Sequence, residues 1–291
     1  MTTHTSLTIQ PLGGLANRMG CIASGVLLSR QLGCRLQMVW QANDDVGAGF
    51  SDLFLPIDAL TELRPGLFDR LTLYSVPRRR NLFIPLVRQR LSYGFRLIDS
   101  PSAYPWLEDS PAVLEAARQS FAAGRNVYVA SGYMWYDFDF SLLREIFVPV
   151  DRLQRQIDAV SSTFAGSPVV GMHIRRTDHR LSIASSPTHL FMDKARELLS
   201  LEPSTRIYLA TDDENVKLQF LNEFGSNKII TSPRPASRTD LDGISDAVVT
   251  MYALSRTREI YASKGTTFSL TSSRLGGIPF TTLALHPQTT P

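Results

Sequence analysis

Leu7-Thr8-Ile9-Gln10-Pro11-Leu12-Gly13-Gly14-Leu15-Ala16-Asn17-Arg18 is the stretch whose reading decides the fold. Leu7 to Gln10 is a short strand, and Gly13-Gly14 makes the loop that follows it. A helix runs through Met19 to Leu32, ended by Gly33 in the manner of a C-cap. Arg35-Leu36-Gln37-Met38-Val39-Trp40 is the next strand. Strand, glycine loop, helix and strand in succession belong to a parallel sheet with crossover helices.

The same alternation extends outward from this unit. Val127-Tyr128-Val129-Ala130-Ser131-Gly132 is a strand ending at a glycine, and Phe147-Val148-Pro149-Val150 leads into a helix near Asp151 to Phe164. Strands are expected at 169–174, 206–210, 228–231, 259–262 and 281–285. Helices are expected between them at 190–201, 214–224, 244–255 and 269–276. The proline-rich stretch from Asn43 to Pro105, with Arg78-Arg79-Arg80, is read as short helices and long loops. The fold class is therefore α/β with mostly parallel sheets, as two Rossmann-like domains at 1–150 and 151–291. Open sheets of this kind bind ligands outside the carboxyl ends of their strands. Four loops of the second domain share that rim: 173–180, 211–214, 231–240 and 263–269.

Composition narrows the class of protein. With 291 residues, 43% hydrophobic and 20% charged, the chain resembles an ordinary globular protein with ample core. A formal net charge of +3 gives no reason to expect nucleic acid, though it is compatible with a local basic site. Cys21 and Cys34 match neither a disulfide framework nor a metal motif. The first residues lack the pattern of a secretion signal, and no run of apolar residues is long enough for a membrane span, so a cytoplasmic location is expected.

Chemistry concentrates on the rim. Val169-Val170-Gly171-Met172-His173-Ile174-Arg175-Arg176-Thr177-Asp178 is an apolar strand that ends in two arginines, a histidine and an aspartate. Guanidinium forks match phosphate or carboxylate oxygens, so an anionic ligand is one reading of Arg175-Arg176, and a solvated basic loop is the other. Thr211-Asp212-Asp213-Glu214 follows a strand and opens a helix. Its acids suit helix capping, a metal, or hydrogen bonds from a nucleobase or sugar. Ser263-Lys264-Gly265-Thr266-Thr267-Phe268-Ser269 places small hydroxyl residues before a helix, as an anion site or as ordinary capping. Asp246, inside the helix at 244–255, is expected to face the site or to pair with Arg256 or Arg258. In the first domain Gly14, Asn17 and Arg18 set a permissive backbone, an amide and a cation at a helix start. No G-x-S-x-G elbow and no zinc motif is present.

Taken in order, Gly13-Gly14-Leu15-Ala16-Asn17-Arg18, His173-Ile174-Arg175-Arg176-Thr177-Asp178, Ala210-Thr211-Asp212-Asp213 and Gly265-Thr266-Thr267-Phe268-Ser269 resemble the GDP-fucose-dependent fucosyltransferases. The likeness is to the α1,6-fucosyltransferases in particular, the bacterial nodulation and eukaryotic core enzymes, and to their α1,2 and protein O-fucosyl relatives. The resemblance implies a GT-B-like fold of two facing domains, with GDP-fucose as donor substrate and a glycan as acceptor. It also implies inverting transfer with no cofactor and no metal. Carried across, Arg175 and Arg176 would grip the donor diphosphate and His173 would orient the sugar–phosphate region. Asp212 and Asp213 would bind guanosine, while Thr267, Phe268 and Ser269 would face phosphate and Asn17 would approach from the other domain.

One departure concerns the base. The core-type enzymes follow the arginine string with lysine and, further on, a glutamate proposed as base. Here His179 stands where the lysine would, and no carboxylate occurs between Asp178 and Asp193. Asp178 and His179 join Arg175 as catalytic candidates. Transfer from another nucleotide sugar, a sugar-phosphate epimerase and a non-catalytic GDP-sugar binder are the competing readings.

Overall fold

The computed structural model describes residues 5–64, 74–76, 80–82, 90–98, 110–177 and 180–285. Asp178, His179, Arg78 and Arg79, singled out above, lie outside the described residues. The chain divides into two compact units between Val148 and Pro149.

The first unit runs β1 (Ser6–Pro11), α1 (Leu15–Leu32), β2 (Arg35–Met38), β3 (Leu60–Glu62), β4 (Tyr74–Val76), β5 (Arg80–Leu82), β6 (Tyr93–Ile98), α2 (Ser110–Ala122), β7 (Asn126–Ser131) and α3 (Ser141–Ile146). Its five-stranded sheet has the order β3-β2-β1-β7-β6, with every pair parallel. β4 and β5 pair antiparallel as a separate hairpin. Strand β1 is buried along its whole length, as expected of a central strand covered on both faces. Gly33 takes the left-handed conformation (φ 60°) that ends α1, which is the stop signal read in the sequence. The stretch expected as short helices and loops also holds strands β3 to β6, whose pairing partners lie far away in sequence.

The second unit runs α4 (Asp151–Ser162), β8 (Val169–Ile174), α5 (Arg180–Ser185), α6 (Thr188–Leu201), β9 (Arg206–Thr211), α7 (Glu214–Phe224), β10 (Ile229–Thr231), α8 (Leu241–Leu254), β11 (Ile260–Ser263), α9 (Thr267–Gly276) and β12 (Phe280–Leu283). Its sheet order is β10-β9-β8-β11-β12, all parallel. The order reverses between β8 and β11, and ligands bind at such a switch point. Along β8, Val170, Met172 and Ile174 pack with Phe191, Leu209 and Phe220 on one face. Val169 packs with Leu254, Ala262 and Phe268 on the other. Side chains alternate along a strand, so His173 shares the face of Val169 and Gly171. Gly171 leaves room there: a Cβ would lie 2.9 Å from both Leu254 Cδ2 and Thr257 Oγ1.

Two of the helix starts lie earlier than expected. α8 begins at Leu241 rather than Ile244, because the Asp240 carboxylate accepts from Gly243 N at 2.7 Å. α9 begins at Thr267, which puts Thr267 and Phe268 inside its first turn. Among the described residues, no helix is long and apolar enough to cross a membrane.

Candidate functional site

At the switch point of the second unit, β8 delivers His173 and Arg175, and β11 delivers the loop that starts α9. The two strand ends are tied together, since Arg175 N donates to Ser263 Oγ at 3.2 Å. Lys264 N donates to Ser186 Oγ at 2.9 Å, so the segment before α6 also holds this loop. The His173 ring lies 5.0 Å from that of Phe268, tilted by 34°. Its Nδ1 is 3.1 Å from Ser269 Oγ and 3.4 Å from Thr266 Oγ1, and those two hydroxyls contact each other. Burial, helped by the nearby Arg175 charge and opposed by Asp212, lowers the His173 pKa to about 4. The ring is therefore neutral at physiological pH.

The two arginines have different surroundings. Arg176 Nε donates to Thr188 Oγ1 at 3.0 Å, Nη1 to its neighbour's carbonyl, Arg175 O, at 2.9 Å, and Nη2 to Ser186 O at 2.6 Å. Three of its five N–H donors are thus held by the protein, where they brace the turn. Burial lowers its pKa, with Asp212 and Asp213 opposing the shift.

The acids after β9 are likewise turned to the protein. Asp212 Oδ1 accepts from Arg176 N at 2.6 Å, and Oδ2 accepts from Thr177 Oγ1 at 2.7 Å and Thr177 N at 3.3 Å. It clasps the turn that presents Arg175. Asp213 is the N-cap of α7, accepting from Asn215 N at 2.8 Å. Capping, one of the readings open to this pair, fits Asp213, and Asp212 braces the neighbouring loop.

Asp246 accepts from Ser232 Oγ at 2.9 Å, just beyond β10, and burial raises its pKa. Arg256 pairs instead with Asp158, and Arg258 with Glu202 and Glu259. Nearby, buried Lys217 donates to Glu214 Oε1 at 2.6 Å and to Arg234 O at 3.1 Å. Thr267 is exposed, Phe268 half-buried and Ser269 fully buried. Among the described residues, no group of three His, Cys, Asp or Glu side chains is placed to hold a metal ion.

In the first unit, Gly13 (φ 71°) and Gly14 lead into α1, whose N-cap Gly14 supplies no side-chain cap. A Cβ on Gly14 would meet open space. Arg18, expected to offer its cation to a ligand, is only 1% exposed. Its Nε donates to Gly13 O at 2.8 Å, Nη1 to Gln41 O at 2.6 Å and Nη2 to Asn43 Oδ1 at 2.7 Å. The guanidinium also sits over the Trp40 ring, 4.7 Å from its centroid, and burial pushes its pKa down to about 10. Arg18 is a brace for the glycine loop. Asn17 Oδ1 is buried with no hydrogen-bond partner among the described residues, the one such side-chain atom found there.

Sequence reasoning missed Ser186, Thr188 and Lys217. Ser186 and Thr188 meet Lys264 and Arg176 from distant segments, so no local pattern marks them. Ser263 and Thr266 stood inside the quoted loop, where their position before a helix was the available signal.

The chain matches no protein-family model and no curated protein. Solved structures do share its fold. The fucosyltransferase NodZ from Bradyrhizobium superposes with a TM-score of 0.61 at 16% identity, covering 92% of this chain and 92% of that one. An Arabidopsis thaliana FUT1 mutant in complex with GDP gives 0.60 at 18% identity, covering 99% of this chain and 72% of that one. POFUT1 in complex with GDP-fucose gives 0.58 at 9% identity, covering 98% and 99%. The fold is thus the GT-B-like α/β fold of fucosyltransferases, as the sequence resemblance implies.

Proposed function

We propose that this chain is a glycosyltransferase that moves fucose from GDP-fucose to a glycan hydroxyl, by inversion and without a metal. The observation that carries the reading is Arg175, held at the end of β8 by Ser263 and by the Asp212 clasp on the next residue. It stands at the sheet's switch point beside the start of α9. The fold shared with solved fucosyltransferases over nearly the whole chain supports the same reading.

Breaking the sugar–phosphate bond develops negative charge on the departing GDP. A guanidinium fixed before the reaction stabilises that charge without reorganisation, and the α9 N-terminus adds its own partial positive charge. Arg176 acts through the turn rather than on the ligand, and Arg18 acts through the glycine loop. Asp178 or His179 serves as base. The acceptor's proton then passes to that base as the new bond forms and GDP leaves.

Incubation with GDP-fucose and a panel of acceptor glycans, followed by product analysis, tests transfer. GDP should stabilise the chain in a thermal-shift screen where UDP, ADP and NAD do not. One observation favours a second reading: no carboxylate stands between Asp178 and Asp193, so a GDP-sugar binder without a base remains the competitor. GDP binding with no product from any acceptor would select it.

A further inference from the structure

We infer that the buried hydroxyls of Ser269 and Thr266 fix His173 as the Nε2–H tautomer, making it a hydrogen-bond donor toward the site and not a proton acceptor. The inference follows from counting protons. Nδ1 of His173, Oγ of Ser269 and Oγ1 of Thr266 contact one another, and neither hydroxyl has another hydrogen-bond partner among the described residues. Both hydroxyl residues are buried, Ser269 at 0% exposure and Thr266 at 5%.

Two arrangements are possible. If Nδ1 is bare, Thr266 donates to Ser269 Oγ, Ser269 donates to Nδ1, and every proton has an acceptor. If Nδ1 carries the proton, it donates to Ser269, Ser269 donates to Thr266, and the Thr266 proton is left buried with nothing to accept it. A buried unsatisfied donor is costly enough to favour the first arrangement by roughly ten- to hundred-fold.

Two further observations agree. Thr266 is the N-cap of α9 yet makes no side-chain cap hydrogen bond, so its hydroxyl is turned to this cluster instead of its own helix. Phe268 lies against the imidazole and restrains its orientation. Nε2 has no protein partner among the described residues, which leaves its proton for a ligand oxygen. That this oxygen belongs to a nucleotide sugar rests on the reading proposed above; the tautomer does not. Thr266 is thus a positioning residue that acts through Ser269 and His173.

The test is a two-bond 1H–15N spectrum of the full chain labelled at histidine, without ligand, with His173 assigned by its loss in His173→Asn. A bare Nδ1 and a protonated Nε2 are expected near neutral pH. The double variant Thr266→Val/Ser269→Ala should mix the tautomers and weaken GDP binding about tenfold, since about 1.4 kcal/mol corresponds to one decade. Thr266→Ser, which keeps a hydroxyl, should preserve both the spectrum and the affinity. A protonated Nδ1 in the unmodified chain overturns the inference, and so does an unchanged ring spectrum in a folded double variant. If the double variant fails to fold, the spectrum of the unmodified chain decides. The expected spectrum without GDP binding upholds the tautomer and counts against the donor reading alone.

Discussion

Charged side chains near one another in this chain have opposite destinies, and surroundings decide which. Arg175 ends a strand at the switch point, and Arg176, its neighbour, is held by Thr188, Ser186 and a carbonyl. Arg175→Ala should weaken GDP binding by roughly ten- to hundred-fold, as loss of charge-assisted hydrogen bonds does. Isothermal titration of the folded variant checks this, and intact affinity would refute the diphosphate role. Arg18 should act on stability. Arg18→Met strands the carbonyls of Gly13 and Gln41 and should cost about 2–4 kcal/mol of stability, read from the urea midpoint. His173 adds a pH dependence of definite sign. Its folded pKa of about 4 lies below the ordinary 6.5, so the unfolded chain binds the extra proton first. Stability should fall as pH drops from about 6.5 toward about 4, and His173→Asn should flatten that slope in urea titrations across the window.

At the scale of elements, the loops that leave β8 and β9 are one unit. Asp212 receives the backbone of residues 176 and 177, while Asp213 caps α7. These adjacent acids make separable predictions. Asp213→Ala should cost about 1 kcal/mol of stability, as lost N-caps do, and leave GDP affinity nearly unchanged. Asp212→Ala releases the turn that presents Arg175, and its GDP affinity should fall several-fold even where the melting temperature changes no more than for Asp213→Ala. Equal affinities in the two variants would remove Asp212 from the site's support. The helices themselves were legible from apolar periodicity, as were the starts at Asp151 and Glu214, whereas those of α8 and α9 were not. Asp240 moves the start of α8 by bonding Gly243, and Thr266 leaves α9 without the side-chain cap its sequence position suggests.

For the whole molecule, a ligand that binds only the folded chain stabilises it by mass action, by about 2.7 kcal/mol at a hundred times its dissociation constant. Saturating GDP should raise the melting temperature, and EDTA should leave both that shift and the transfer rate unaltered. Loss of either with EDTA would point to a metal and require a new account of how the leaving charge is met. The alternating strands and helices and both parallel sheets were readable beforehand. Strands β3 to β6 were not, because short strands in a proline-rich stretch take their identity from distant pairing partners.

The sequence by itself determined the α/β alternation, the place where strand β8 stops, and the cluster of arginine, histidine and hydroxyl residues at its end. Those features are written in local periodicity and in the abrupt change from apolar to charged residues. Only the tertiary structure decided which polar groups face the protein. Arg18 meets Gln41 and Asn43, 23 and 25 residues away, Arg176 meets Asp212 across 36, and His173 meets Ser269 across 96. A buried cation or hydroxyl must find its partners wherever folding brings them, and no local pattern records those distances.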